Sequence, residues 1–95
     1  MQYFRTPEFK ECAKLLDDEQ REEVKRAFQD LKRAFEGDRN LRSEYKLHPL
    51  KKYPGIYGGH LKYDLVFTFH YETDSSGEKV VFFRKIGTHG IYKNP

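Results

Sequence analysis

The chain has one cysteine, one methionine and no tryptophan among its 95 residues, and no histidine before position 48. A lone Cys12 cannot close an internal disulfide, and without a Cys-x-x-Cys pair there is neither a thiol redox motif nor a cysteine zinc site, which fits a reducing cytosol. No run approaches the roughly 20 apolar residues of a membrane span. The opening Met-Gln-Tyr-Phe-Arg-Thr-Pro-Glu lacks the apolar centre of a signal peptide. A soluble, cytoplasmic protein with no membrane contact is expected. There is no linker, internal repeat or low-complexity stretch, so residues 1–95 are expected to form a single domain. A domain of this size buries roughly 60–70% of the surface of its unfolded chain, which leaves little room for an enclosed cofactor. No cofactor is expected, and a functional site belongs on a surface or in a groove.

What the chain does have is aromatic residues, charge and a late group of histidines. Eight Phe and seven Tyr can build a core from few side chains. Residues 1–47 carry 11 Lys/Arg against 11 Asp/Glu, whereas residues 48–95 carry 7 against 4, so the net charge of +3 arises in the half that also holds His48, His60, His70 and His89. A basic surplus beside imidazoles favours a polyanionic partner, RNA or DNA among them. The charged outer face of the helical half reads as solvated surface.

The hydrophobic spacing divides the chain in two. Tyr3 and Phe4 read as a short strand, and Thr6-Pro7-Glu8 as a helix start with Thr6 as N-cap. Phe9, Cys12, Ala13 and Leu16 follow at helical spacing, with Cys12 on the apolar face. Asp17 and Asp18 break that helix and cap a second, marked by Val24, Phe28, Leu31 and Phe35, which ends near Gly37. Tyr45 to Leu50 is strand-like, and Tyr53-Pro54-Gly55 with Gly58-Gly59 punctuates a loop. His60 to Tyr71 alternates as one strand, with Leu65, Phe67, Phe69 and Tyr71 on one face. Asp74-Ser75-Ser76-Gly77 turns the chain into a partner strand from Val80 to Ile86, and Thr88 to Pro95 is left as a tail. The expected fold is α+β in the order β-α-α-β-β-β, an antiparallel sheet with a helical hairpin on one face and the other face free for a ligand.

Metal-independent cleavage of RNA needs a base for the 2′-hydroxyl proton, an acid for the departing 5′-oxygen and cations around the phosphate. His48, His60, Asp64 and His89 are candidates for the first two roles, and Lys85 or Arg84 for the third. On a straight strand His60 and Asp64 share a face roughly 13 Å apart and flank a substrate. His70, at a strand end beside Tyr71, reads as structural. No His-x-x-x-His pair seeds a metal site, so none is expected.

With these residues in view, the chain resembles the RelE/ParE superfamily of toxins from bacterial toxin–antitoxin modules, and within it the YafQ branch of ribosome-dependent mRNA interferases. The resemblance runs over nearly the whole chain. It is carried by Tyr-Lys-Leu-His-Pro-Leu at 45–50, His-Leu-Lys-Tyr-Asp-Leu at 60–65 and Ile-Gly-Thr-His at 86–89. It implies a RelE-like (microbial RNase-like) fold whose concave sheet enters the ribosomal decoding site and cleaves the bound mRNA. It also implies a cognate antitoxin as partner, with operator DNA reached only through the antitoxin complex. On matching positions His48, His60, Asp64 and His89 correspond to the branch's catalytic residues, with Lys85 in place of its usual arginine. His89 is then the general acid and His48 or His60, aided by Asp64, the base, or the reverse. Lys51, Lys52, Lys62 and Arg84 are the expected RNA-binding cations, and Tyr92 is the candidate base-stacking aromatic.

The chain departs from the branch at Tyr57-Gly58-Gly59, where an arginine is usual, and at Phe69, Leu65 and the tail Gly90-Ile91-Tyr92-Lys93. Two alternatives stay beside the ribonuclease. One is a ParE-like inhibitor of DNA gyrase, which needs none of the histidines, and the other is a decayed toxin that only binds its antitoxin.

Overall fold

The first turn of each helix follows from its capping residue. In the computed structural model, which describes all 95 residues, the chain opens with β1 (Gln2–Arg5) and turns at Thr6 into α1 (Pro7–Lys14). The Thr6 hydroxyl accepts from the Phe9 amide at 3.1 Å, and Pro7 takes a position where no N–H is needed. α2 (Asp18–Phe35) begins with a capping box. Asp17 accepts from the Gln20 amide at 2.8 Å, while the Gln20 side chain accepts from the Asp17 amide at 3.0 Å. Gly37, at φ 116°, follows its end. A third helix, α3 (Arg39–Glu44), was not expected. Asp38 caps it by accepting from the Leu41 amide at 3.1 Å. Six residues that send only Leu41 toward the core carry no readable period.

Four more strands follow, β2 (His48–Pro49), β3 (Tyr57–His60), β4 (Val66–Thr73) and β5 (Lys79–Gly87), in the sheet order β1-β5-β4-β3-β2. The sheet is mixed, not antiparallel, because β1 runs parallel to β5. Parallel neighbours need a long connection, and here all the helices and three strands lie between them. β2 is shorter than the expected Tyr45–Leu50 strand. It sits at the sheet edge, where Pro49 costs no ladder hydrogen bond.

The expected single strand from His60 to Tyr71 is two strands, with His60 opposite Val66. Between them Tyr63 and Asp64 adopt left-handed φ of 61° and 57°, and the Leu61 amide donates to the Leu65 carbonyl at 2.9 Å. Alternation continues across the turn, so the sequence hides it. Asp64 therefore lies in an exposed turn, and the spacing along one strand from His60 does not exist. Gly58 and Gly59, read as loop punctuation, are buried in β3.

Phe9, Phe35, Phe67, Phe69 and Phe83 form the centre of the core between the helices and the sheet. A one-residue bulge in β5 sets Thr68 opposite Lys85 but Phe69 opposite Phe83. Phe83 and Ile86 thus both face the helices, while Arg84 and Lys85 both turn to the other face. That face is not free throughout. The expected tail forms a 3₁₀ turn (His89–Lys93), and residues 94 and 95 fold back over it. The Pro95 carbonyl accepts from Thr68 and Arg84, and the Asn94 carbonyl from Lys85. No helix is long and apolar enough to cross a membrane.

Candidate active site

Three separate segments bring three imidazoles together. His48 follows Lys46, whose left-handed φ of 49° aims its carbonyl back at the His48 ring. Nδ1 of His48 lies 2.8 Å from that oxygen, so it carries a proton and donates, leaving Nε2 for another partner. His60 ends β3, its amide donating to the Tyr45 carbonyl at 2.7 Å. His89 opens the 3₁₀ turn behind Gly87 and Thr88. The ring centre of His60 is 5.8 Å from that of His48 and 5.3 Å from that of His89.

Tyr92 supports all three rings, with centroids at 6.0 Å from His48, 6.5 Å from His60 and 5.8 Å from His89. Gly58 makes room for it, since a Cβ there would stand 2.7 Å from the Tyr92 hydroxyl. On the other side of the strand a Cβ at Gly59 would overlap the Phe67 ring. The paired glycines thus let β3 lie flat between the core and the candidate site.

Burial lowers the His60 pKa below the ordinary histidine value, helped by the charges of His89, His48 and Lys46. His60 is accordingly a neutral imidazole near pH 7. Burial pushes the Tyr92 hydroxyl up to about 12, so it stays protonated and acts as a ring and a donor, not as a base. A neutral imidazole flanked by two others can take a proton on one side of an anionic centre while a neighbour delivers one on the other. No group of three or more His, Cys, Asp or Glu side chains is disposed to hold a metal ion.

The remaining expected residues are spread around this centre. Lys51 and Lys52 are exposed beside His48, in a groove of about 310 Å³ that Tyr53 and Tyr92 also line. Lys62 lies beyond His60, exposed. Asp64 makes no hydrogen bond to any histidine. Lys85 donates to the Asn94 carbonyl at 2.6 Å and lies 3.8 Å from Glu8, while Arg84 bonds the Pro95 carbonyl and Nδ1 of His70. These two cations hold the tail on the sheet. His70 is apart from the three, stacked on Phe82 at 5.0 Å. Lys46, which sequence reasoning passed over, is the cation whose charge His60 feels.

No protein-family model matches the chain, and no curated protein does. Two solved structures do. The crystal structure of YafQ from E. coli strain BL21(DE3) superimposes with a TM-score of 0.63 at 22% identity, covering 94% of this chain and 93% of that one. The chain shares the YafQ fold. The solution structure of HP0892, a conserved hypothetical protein from Helicobacter pylori, matches with a TM-score of 0.57 at 23% identity, covering 95% and 96%.

Within this YafQ-like, RelE-type α+β fold, the histidines occupy β2, the end of β3 and the turn after β5. The strand order makes β2 and β3 neighbours and brings the segment after β5 to the same end of β4. A signal for Lys46 was present in its parity with His48, two residues on. Its importance comes from the left-handed backbone, which a pattern of residue types does not encode.

Proposed function

We propose that the protein is the toxin of a type II toxin–antitoxin module and acts as an mRNA endonuclease, without metal or cofactor, on messages held in the ribosomal decoding site of a bacterial cytoplasm. The observation that carries this reading is the convergence of His48, His60 and His89 over Tyr92. Neutral His60 takes the proton from the 2′-hydroxyl, and the 2′-oxygen attacks phosphorus. The P–O5′ bond then breaks, and His89 protonates the departing 5′-oxygen. A 2′,3′-cyclic phosphate and a 5′-hydroxyl result. As an imidazolium, His48 donates from Nε2 to a phosphate oxygen while Nδ1 stays on the Lys46 carbonyl, and Tyr92 offers a ring for a base to stack on. Lys51, Lys52 and Lys62 meet the RNA backbone. Asp64 acts from its turn, on the orientation of the segment after His60, and Lys85 with Arg84 acts by holding the segment that bears His89. A cognate antitoxin silences the site, and operator DNA is met only through that complex.

Induction in a bacterial host, with mapping of message 5′ ends, tests this. Growth arrest with cuts in translated messages is expected, and both are lost in His89→Ala. Arrest with gyrase-dependent DNA breaks and intact messages would replace this reading.

A further inference from the structure

The site has a second approach, onto which His60 alone of the three imidazoles opens. On the helix side of His60 lies a cleft of about 440 Å³, lined by Glu23, Arg26, Tyr45, Lys46, His60 and Lys62 among others. The charged groups of its floor are paired with one another. Glu23, only 6% exposed, meets Arg26 at 2.8 Å and accepts the Lys62 amide at 3.0 Å, which pins the β3–β4 turn to α2. Tyr45 donates to Asp30 at 2.8 Å, and Arg26 reaches the same carboxylate at 3.5 Å.

The rim is different. Lys46 and Lys62 are exposed and take part in no ion pair or side-chain hydrogen bond, while Glu44 is the one unpaired carboxylate lining the cleft. Counting Arg26, Lys46 and Lys62 against Glu23 and Glu44, the lining is net positive by one before His60 is protonated. The groove beside His48 also carries two lysines, Lys51 and Lys52, so paired ammonium groups flank the histidines on both sides.

We propose that this cleft is a phosphate subsite for the nucleotide adjoining the cleaved bond, with Lys46 and Lys62 holding the neighbouring RNA phosphate. The inference rests on the ribonuclease reading and adds a path to it. The RNA backbone crosses from the Lys51/Lys52 groove over the three imidazoles and leaves between Lys46 and Lys62. His60 lines both the reaction centre and the cleft, so an anion seated there also lies beside its ring. The strained backbone at Lys46 serves twice, presenting its carbonyl to His48 and its ammonium group to the cleft.

The test is single-turnover cutting of a ribosome-bound message in which each phosphate next to the cut is replaced, one at a time, by a neutral methylphosphonate. With the unaltered protein, one replacement should slow cutting about tenfold, the size of a lost charge-assisted hydrogen bond. K46M/K62M should cut the native message about tenfold more slowly and show no further loss on the neutralised one, while K46R/K62R restores the difference. Cutting by K46M/K62M at the unaltered rate, or equal additional slowing by neutralisation, would overturn the subsite and leave the nuclease intact. If the unaltered protein cuts no message, the nuclease reading itself falls, and the subsite with it.

Discussion

Two clusters of rings lie back to back across β3, at nearly the same spacing and with opposite consequences. On the helix side the Phe9, Phe28, Phe35, Phe67, Phe69 and Phe83 rings pack at centroid distances of 4.7 to 6.0 Å. On the other side His48, His60, His89 and Tyr92 pack at 5.3 to 6.5 Å. The first cluster has no titratable atom and is largely closed to water. The second carries ring nitrogens, and His89 at its edge is exposed. Similar packing therefore yields stability in one place and proton-transfer chemistry in the other. The difference lies in ring heteroatoms and solvent access, and Gly58 and Gly59 let one thin strand serve both.

Substituting single rings should separate the two clusters most sharply. His60→Ala is expected to lower message cutting by about 10²- to 10⁴-fold, the range for a lost acid or base, with thermal unfolding close to that of the parent. Phe67→Ala should cost about 3–5 kcal/mol in denaturant unfolding, because it leaves a cavity in a closed core. If His60→Ala unfolds the protein, or Phe67→Ala leaves its stability intact, the contrast between the clusters is lost.

The strand between them can be tested next. In Gly58→Ala the new Cβ must displace Tyr92, and a shift of the ring support by about 1 Å should reduce cutting by up to about 10²-fold while unfolding changes less. Adding Tyr92→Phe, which removes the nearest atom, should recover part of that loss. No recovery would mean that Gly58 acts otherwise than by making room for the ring.

A smaller effect follows from pH. The folded His60 pKa lies below its unfolded value, so as pH falls through about 6.5 the unfolded chain gains a proton that the folded one does not. Stability attributable to His60 should be level above that pH, fall below it, and level again beneath the folded pKa. Comparing denaturant midpoints from pH 7.5 to 5 in the parent and in His60→Gln reads this directly. The same shift places the acid limb of cutting below the ordinary histidine value, and a limb above it would remove His60 as the base.

The helical layer supplies a control distant from the site. Asp17→Ala removes the α2 cap and should cost about 1 kcal/mol of stability without slowing message cutting under conditions where the protein stays folded.

Much of this arrangement is legible in the sequence where local rules act alone. Thr6, Pro7 and Asp17 announced helix starts, and Phe67 and Phe69 announced the core-facing side of β4, because capping and period-two alternation are properties of a few adjacent residues. The same alternation misled at the β3–β4 turn, where polar and apolar residues continue in step while Tyr63 and Asp64 reverse the chain. The bulge at Arg84 was equally silent. One inserted residue turns two cations to the same face, and no residue type marks it.

For the candidate site, the residue types were legible and their company was not. Histidines late in the chain point to proton transfer on residue chemistry alone. That His48, His60 and His89 would meet while His70 stacks on Phe82 depended on strand order and register. The helix caps, the aromatic core and the stock of imidazoles follow from residue chemistry and near neighbours along the chain. Folding as a whole sets β1 parallel to β5, turns Arg84 and Lys85 to the returning tail and makes Lys46 the cation at His60. Those outcomes depend on contacts between residues far apart in the chain, where hydrogen bonding and burial act on the whole assembly at once.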